Sequence, residues 1–270
     1  MPLTEFQAAL MRLLAGNRSP DNYLAGGAAL HLEPNSKRYS RDLDFFQDSV
    51  ERVASAFDAD RRTLGDSGCQ VEVDIRLPGY VRAIVRRGQD ATKIEWAHDS
   101  AWRFMPVMAS DVCGYQLHPI DLATNKLLAL VGRDEPRDFL DVLHLHRHLL
   151  PLGALCWAAA GKDPGYTPAA LLELLRRRGK YRPEDFARLH LAEKVDLAEL
   201  KQSWRDALDA AEQFIRSRPP DEIGCLYYAR SRQAFVQPGA DDGDDVVVHY
   251  GRPGGVLPGV VAEMSSGTSK

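Results

Sequence analysis

The stretch that decides the fold is residues 23–46, which read YLAGGAALHLEPNSKRYSRDLDFF. Its apolar start predicts a short buried strand that meets two adjacent glycines, Gly26 and Gly27, and residues 28–32 can then begin a helix. Because glycine has no Cβ, the backbone amides of such a turn can approach a phosphate, and a helix N-terminus adds a partial positive charge. The turn therefore predicts a phosphate-binding loop, with an ordinary tight turn as the plainer alternative.

An acidic and apolar alternation, DLDFF, closes the same stretch and has the two-residue period of a strand. Neighbours two apart on a strand share a face, so Asp42 and Asp44 project together while Leu43 and Phe45 point the opposite way. A carboxylate pair of this kind can hold a divalent cation, although a solvent-facing acidic edge gives the same pattern. Together, the glycine turn and the acid pair favour a site for a nucleoside triphosphate (NTP).

These motifs resemble those of the nucleotidyltransferases of the DNA polymerase β superfamily, whose signature is a Gly-Gly or Gly-Ser turn followed by Asp-x-Asp. A second segment, residues 121–141 (DLATNKLLALVGRDEPRDFLD), is similar to the Asp-x4-Lys and Arg-Asp-x-x-Asp elements of the AbiEii/AbiGii toxin family, which includes the MenT toxins. Arg38 and Ser40 match that family's Arg-x-Ser/Thr-x-Asp-Leu-Asp-Phe pattern. The resemblance covers residues 20–150 and is loose beyond them.

The resemblance implies transfer of a nucleotide from an NTP to an acceptor, with Mg²⁺ as the cofactor held by Asp42 and Asp44. Members of the superfamily usually add a third carboxylate from a neighbouring strand, as a metal ligand or as a base. Glu95, in the KIE segment at residues 93–95, is the first candidate for this third ligand. Asp74 is the second, and a solvent-facing strand acid is its plainer interpretation.

Further residues of these motifs are expected at the cleft. The resemblance places Lys126 at the triphosphate and Asp138 where it could orient Lys126, Arg133 or Arg137, or act as a base. Lys126 could instead extend to water from its apolar helix, and Asp138 could only stabilise a helix dipole. Asp141 is the second choice for the acid. The residues expected to contact the NTP are Gly26, Gly27, Arg38, Ser40, Lys126, Arg133 and Arg137, and those expected to be catalytic are Asp42, Asp44, Lys126 and Asp138.

Composition and charge limit the class of protein. Of 270 residues, 44% are hydrophobic and 27% charged, and no apolar run approaches the roughly 20 residues needed to span a bilayer. The start of the chain is an amphipathic helical pattern without the basic region or cleavage site of a signal peptide. Four scattered cysteines lack a C-x-x-C pair, which is typical of reduced thiols. We therefore expect a cytoplasmic protein with no membrane contact.

Two local clusters invite a functional interpretation. The net charge of −4 leaves room for a local basic patch, and residues 176–182 (RRRGKYR) combine cations with an aromatic ring, as an RNA-binding surface would. Cations that complement the dipole at a helix C-terminus are the alternative. In residues 144–148 (HLHRH) only the first and last histidines share a helix face, so a solvated face is favoured over a metal site.

Periodicity predicts a three-part organisation. Residues 1–118 are expected to form an α/β nucleotidyltransferase domain, a small mixed sheet flanked by helices that includes a hairpin of residues 71–77 and 80–87. Residues 119–220 are expected to form a mainly α-helical domain, with helices that begin at Pro119 and Pro136. Residues 221–270 are expected to form a small β appendage with a flexible tail.

The family resemblance implies a toxin that acts on the 3′ end of tRNA and is opposed by an antitoxin. Two alternatives remain. The same chemistry could modify a small molecule or a protein hydroxyl, or the chain could be a catalytically inactive module that binds a nucleotide or a partner. The presence of Asp42, Asp44 and Lys126 favours the enzyme, since an inactive site has no chemical reason to keep all three.

Overall fold

The structure, a computed structural model, describes residues 3–32, 40, 42–189, 191, 196–239 and 242–259. The helices in these residues are α1 (Glu5–Leu14), α2 (Gly26–Leu30), α3 (Val50–Asp66), α4 (Pro119–Arg133), α5 (Pro136–His148), α6 (Leu152–Lys162), α7 (Pro168–Leu175), α8 (Pro183–Ala187) and α9 (Leu197–Ser217). The strands are β1 (Asn22–Ala25), β2 (Asp42–Gln47), β3 (Gln70–Leu77), β4 (Tyr80–Arg87), β5 (Asp90–His98), β6 (Trp102–Arg103), β7 (Met108–Ser110), β8 (Gly114–Gln116), β9 (Leu226–Ala229), β10 (Ala234–Val236), β11 (Val246–His249) and β12 (Arg252–Pro253).

A seven-stranded mixed sheet organises the N-terminal half, in the order β3-β4-β5-β2-β1-β8-β7. The acidic strand β2 is internal and pairs antiparallel with β1 and parallel with β5. The predicted hairpin is also present, since β3 and β4 pair antiparallel across a turn in which Gly79 has a φ of 72°. The predicted α/β fold class is therefore confirmed.

Alternation along β5 separates the two faces of this sheet. Ile94 and Trp96 are fully buried, whereas Lys93 and Glu95 are partly exposed on the other face. Helix α3 covers the buried face, where Trp96 Nε1 donates a hydrogen bond of 2.7 Å to Asp60 of α3. The opposite face of β2 and β5 is consequently left to form a cleft.

The helical half packs around α6, in which residues 152–160 are all buried. Helices α4, α7 and α9 contact it, and one buried cluster joins them to Leu226 and Tyr227 of β9. Strands β10, β9 and β11 form the small C-terminal sheet that the sequence predicts. The boundaries at residues 118 and 220 stay predictions.

Two further observations bear on the sequence predictions. Within the described residues, no helix is both long and apolar enough to cross a membrane. The four cysteines are buried free thiols. Glu135 is the N-cap residue of α5 and makes no side-chain cap bond, and Asp134 ends α4 in the left-handed conformation.

Candidate active site

An open cleft of about 430 Å³ lies over the exposed face of β2 and β5, with α4 and α5 on its other side. Asp44 of β2 faces Ala25 of β1 on one side and Glu95 of β5 on the other, so strand register alone brings two acids together. The cleft is lined by Gly26, Gly27, Asp42, Asp44, Phe46, Tyr80, Arg82, Lys93, Glu95, Ala97, Leu122, Asn125, Lys126, Ala129, Arg133 and Arg137.

The glycine turn and the acid pair converge in this cleft. Gly26 begins α2 with a φ of 62°, and a Cβ added there would lie 1.9 Å from Asp44 Oδ2. Position 26 therefore requires glycine for two reasons, its left-handed backbone and the close approach of the Asp44 carboxylate. Gly27, buried beside it, also lines the cleft.

The acids concentrate negative charge at the cleft floor. Burial, followed by the charges of Asp42 and Glu95, raises the pKa of Asp44 to about 7. Burial also opposes ionisation of Asp42, yet the hydrogen bond and charge of Lys93, together with the charges of Arg137 and Lys126, outweigh it and hold the pKa of Asp42 below its ordinary value. Carboxylate oxygens are the ligands that a hard divalent cation prefers, so the Asp42 and Asp44 pair fits such an ion.

Glu95, expected as the third metal ligand, is already ion-paired. Its Oε1 accepts hydrogen bonds from Lys93 Nζ at 2.7 Å and from Arg82 Nε at 3.1 Å. Lys93 Nζ also lies 2.9 Å from Asp42 Oδ2. Across the described residues, no group of three or more His, Cys, Asp or Glu side chains is arranged to hold a metal ion. A cation site here would rest on Asp42 and Asp44.

Lys126 lines the cleft and is held by acids on α5. Its Nζ lies 3.1 Å from Asp138 Oδ1 and 3.1 Å from Asp141 Oδ2. Asp138 also accepts two hydrogen bonds from Arg133, at 2.6 and 3.1 Å, and Asp141 lies 3.0 Å from His31 Nε2. Burial alone would raise the pKa of Asp138, but the bonds from Arg133 and the Lys126 charge hold it below its ordinary value. A carboxylate so engaged is suited to orienting the two cations.

Three more residues were expected to contact phosphate, and in the part of the chain that the structure describes only one of them lines the cleft. Arg137 lines the cleft with Nη1 3.8 Å from Asp42 Oδ2, and within the described residues its buried Nε has no hydrogen-bond partner. Ser40 is buried, and its Oγ donates to the backbone oxygen of Asp42 at 3.0 Å. Arg38 lies outside the described residues.

Acids outside the cleft have structural partners. Asp121 is fully buried and accepts the backbone N–H groups of Phe104 at 2.7 Å and Met105 at 3.0 Å. Asp74 is more than half exposed, 3.6 Å from Arg82. Asp121 therefore anchors the start of α4 to the chain segment before β7, and Asp74 matches its plainer interpretation.

The two clusters on the helices also match their plainer interpretations. Tyr181 is buried, donates to Asp134 Oδ1 at 2.6 Å and packs on Phe139, so its ring is not available to stack a base. Arg176 pairs with Glu212 at 2.7 Å. His144 and His148 lie on one face of α5, their ring centroids 4.5 Å apart.

Sequence reasoning missed the apolar end of the cleft. Phe46 and Ala97 follow the acids by two residues on β2 and β5, and Tyr80 of β4 pairs with Ala97. Arg82, two residues after Tyr80 on β4, pairs with Glu95 and so lies nearer the acids. The alternation of β4 could have placed Tyr80 and Arg82 on one face, but only the register between strands shows that this face belongs to the cleft.

Comparisons with known proteins bear on the family and the fold. The family model described as nucleotidyl transferase AbiEii toxin, type IV TA system, matches residues 8–235. Among solved structures, MenT4, a nucleotidyltransferase toxin from Mycobacterium tuberculosis H37Rv, shares the fold with a TM-score of 0.50 and 15% identity over 80% of this chain and 83% of that one. JHP933 from Helicobacter pylori has a TM-score of 0.46 and 21% identity over 79% of this chain and 95% of that one. None of the curated proteins compared with the chain matches it.

Proposed function

Because the chain belongs to the AbiEii family of nucleotidyltransferase toxins of type IV toxin–antitoxin systems, we propose that it transfers a nucleotide from an NTP to the 3′ end of a tRNA, with Mg²⁺ as cofactor. One observation carries the proposal. The Gly26 turn, the Asp42 and Asp44 pair, and Lys126 all line a single cleft. These are the parts that phosphate binding, cation binding and charge neutralisation require.

In the proposed reaction, an acceptor hydroxyl oxygen bonds to the α-phosphorus of the NTP. The bond from that phosphorus to the oxygen bridging to the β-phosphate breaks, and pyrophosphate leaves as the hydroxyl proton passes to solvent. A divalent ion held by Asp42 and Asp44 would supply positive charge beside the transferred phosphate. The chain contributes chiefly positioning and charge, because the transition state spreads negative charge over the phosphoryl oxygens.

The cations of α4 and α5 would bind the triphosphate. Lys126, Arg133 and Arg137 face the cleft across from the acids, while the turn at Gly26 and Gly27 offers backbone amides. Asp138 would orient Lys126 and Arg133, since it already accepts hydrogen bonds from both. This arrangement favours an orienting role for Asp138 over that of a base.

The side chains that line the cleft change from charged at one end to apolar and aromatic at the other, which supports a nucleotide-sized substrate. One end carries Asp42 and Lys93, and two strand steps further the surface is formed by Phe46, Ala97 and Tyr80. A charged end beside an aromatic end suits a phosphate group and a base of one nucleotide. Tyr80 and Phe46 would accordingly contact the base of the NTP or of the tRNA terminus.

The acceptor is tested by supplying each α-labelled NTP in turn with Mg²⁺, total RNA, cell protein and small-molecule extract. The proposal predicts label in the tRNA fraction, and none when the label is on the γ-phosphate. Label in protein or in a small molecule would favour the corresponding alternative acceptor. NTP binding by calorimetry without transfer to any fraction would favour the inactive binding module.

The cellular setting follows from the same proposal. We place the protein in the cytoplasm, where NTPs and tRNA are available and free thiols stay reduced. The family implies a cognate antitoxin. Expression of the chain alone should arrest growth, and Asp44→Asn should relieve the arrest.

A further inference from the structure

Lys93 is placed where a second metal ion would be expected. Its Nζ lies between Asp42 Oδ2, at 2.9 Å, and Glu95 Oε1, at 2.7 Å. Lys93 is the register partner of Asp42, and Glu95 is the register partner of Asp44, on the parallel strands β5 and β2. Both strands are internal to the sheet, so the backbone of Lys93 is fixed, and its two ion pairs hold the ammonium between Asp42 and Glu95.

Two-metal phosphoryl transfer uses divalent ions about 3.5–4 Å apart that clamp the attacking and leaving oxygens. The cleft offers three carboxylates for this purpose, Asp42, Asp44 and Glu95. The single ammonium of Lys93 is ion-paired with two of the three, Asp42 and Glu95, and Arg82 binds Glu95 as well. A second divalent ion would have to displace Lys93 or bind beside its positive charge.

The hydrogen-bonding capacity of Lys93 leaves one donor for substrate. An ammonium group has three N–H donors, and within the described part of the chain Asp42 and Glu95 are the acceptors near Nζ. The side chain is 29% exposed and lines the cleft. The third N–H can therefore reach an oxygen of a molecule bound over the acids.

We propose that this enzyme binds a single divalent ion, at Asp42 and Asp44, and that Lys93 Nζ serves as the fixed second cation beside the transferred phosphate. Glu95 then holds Lys93 in place and is a positioning residue, in contrast to the metal-ligand role that the sequence resemblance implies. The inference rests on the proposed nucleotidyl transfer.

The number of bound Mn²⁺ ions tests this directly. The full chain is titrated with Mn²⁺ alone, and free Mn²⁺ is followed by electron paramagnetic resonance. We expect one ion per wild-type chain and two per Lys93→Met chain, because the substitution removes the ammonium that lies between Asp42 and Glu95. Lys201→Met on α9, outside the cleft, makes the same change in net charge and should still bind one ion. Two ions on the wild type, or one on both wild type and Lys93→Met, would overturn the inference.

Glu95→Gln provides a second measurement that does not depend on the Lys93 variant folding. The amide keeps the size of the side chain but binds Mg²⁺ or Mn²⁺ poorly. If Glu95 positions Lys93, the single Mn²⁺ is retained while kcat for label transfer falls at least about tenfold. Loss of the ion from Glu95→Gln would show that Glu95 is a metal ligand and would overturn the inference.

Wild-type label transfer, measured in parallel, separates the two proposals. Active transfer with two bound ions rejects the single-ion inference and leaves the proposed function in place. One bound ion without transfer to any acceptor rejects the proposed function, and with it the catalytic setting of Lys93.

Discussion

At Gly26 the backbone leaves no room for a side chain, because the Asp44 carboxylate lies against it. This one contact connects the glycine turn to the acid pair, two motifs that are separated in the sequence by the fourteen residues 28–41. The geometry explains why both are needed in one chain. A methyl group at Gly26 must push Asp44 away from the position that it shares with Asp42 and Glu95.

Gly26→Ala should abolish transfer with a small effect on folding. We expect at least about a hundredfold loss of kcat, since displacing a reacting group by about 1 Å can cost that much. The left-handed backbone should add a loss of about 1–2 kcal/mol in the free energy of unfolding. Label transfer and urea unfolding measure the two effects.

Gly132→Ala is the matched control for that variant. Gly132 lies within α4 and has nothing within 4 Å of its Cβ position. Alanine there should leave transfer unchanged and stabilise the protein by up to about 1 kcal/mol, through helix propensity. Equal losses of activity in both variants would contradict the account of Gly26.

At the scale of secondary structure elements, α3 is tied to the sheet by a buried polar cluster. Asp60 of α3 pairs with Arg18 and accepts from Asn17 and from Trp96 Nε1, with both charged side chains fully buried. The contacts of Asp60 therefore hold α3 against the face of the sheet opposite the cleft. Sequence periodicity did not predict it, because Arg18, Asp60 and Trp96 come from distant parts of the chain.

Asp60→Ala should destabilise the protein by about 3–5 kcal/mol, because it leaves Arg18 buried without its partner. Asp21→Ala removes an exposed pair with Arg52, whose side chains are 36% and 51% exposed, and should cost less than about 1 kcal/mol. Urea unfolding of both variants gives the comparison. Similar losses in the two would contradict the assigned role of Asp60.

Asp121 anchors the start of α4, and its titration should make the free energy of unfolding depend on pH. Burial raises the pKa of Asp121 to about 6, although the amides of Phe104 and Met105 and the charges of Lys162 and Arg103 act in the opposite direction. When the pKa of a carboxyl is higher in the folded than in the unfolded protein, the folded state is favoured at a pH below the unfolded-state pKa. That stabilisation is lost as the pH rises through the folded-state pKa. The stabilisation from Asp121 is therefore lost between about pH 4 and pH 6.

Asp121→Asn removes this titration. The free energy of unfolding of the wild type should fall relative to that of the variant as pH rises through the window, by at most about 1.4 kcal/mol per pH unit. Unfolding of both proteins by urea at several pH values between 4.5 and 7.5 measures the difference. A difference that stays constant with pH, or that changes in the opposite direction, would contradict the assignment.

At the scale of the whole molecule, the cleft lies between the sheet and the helices of the second half. The acids come from β2 and β5, and the facing cations come from α4 and α5. Local periodicity was enough to predict the α/β half with its hairpin and the helical half that follows it, because each pattern lies within one segment. It was also enough to place Asp42 and Asp44 on one face.

What the sequence could not show is how separate segments meet. The resemblance predicts that Glu95 binds metal, but a strand pattern gives the face of a residue and not its partner across the sheet. The ion pair of Lys93 with Asp42 depends on the register of β2 and β5, in which the two residues are partners. The resemblance does suggest that Asp138 orients Lys126, but the second contact of Lys126, with Asp141, follows only from the packing of α4 on α5.

The central claim is that this cleft transfers nucleotides and that the acid pair is essential to the transfer. The most direct measurement is the rate at which α-phosphate label from an NTP enters tRNA, for wild type and Asp44→Asn side by side. We expect incorporation by the wild type and a loss of at least about a hundredfold in the variant, with the fold kept. Equal incorporation by the two proteins would contradict the claim.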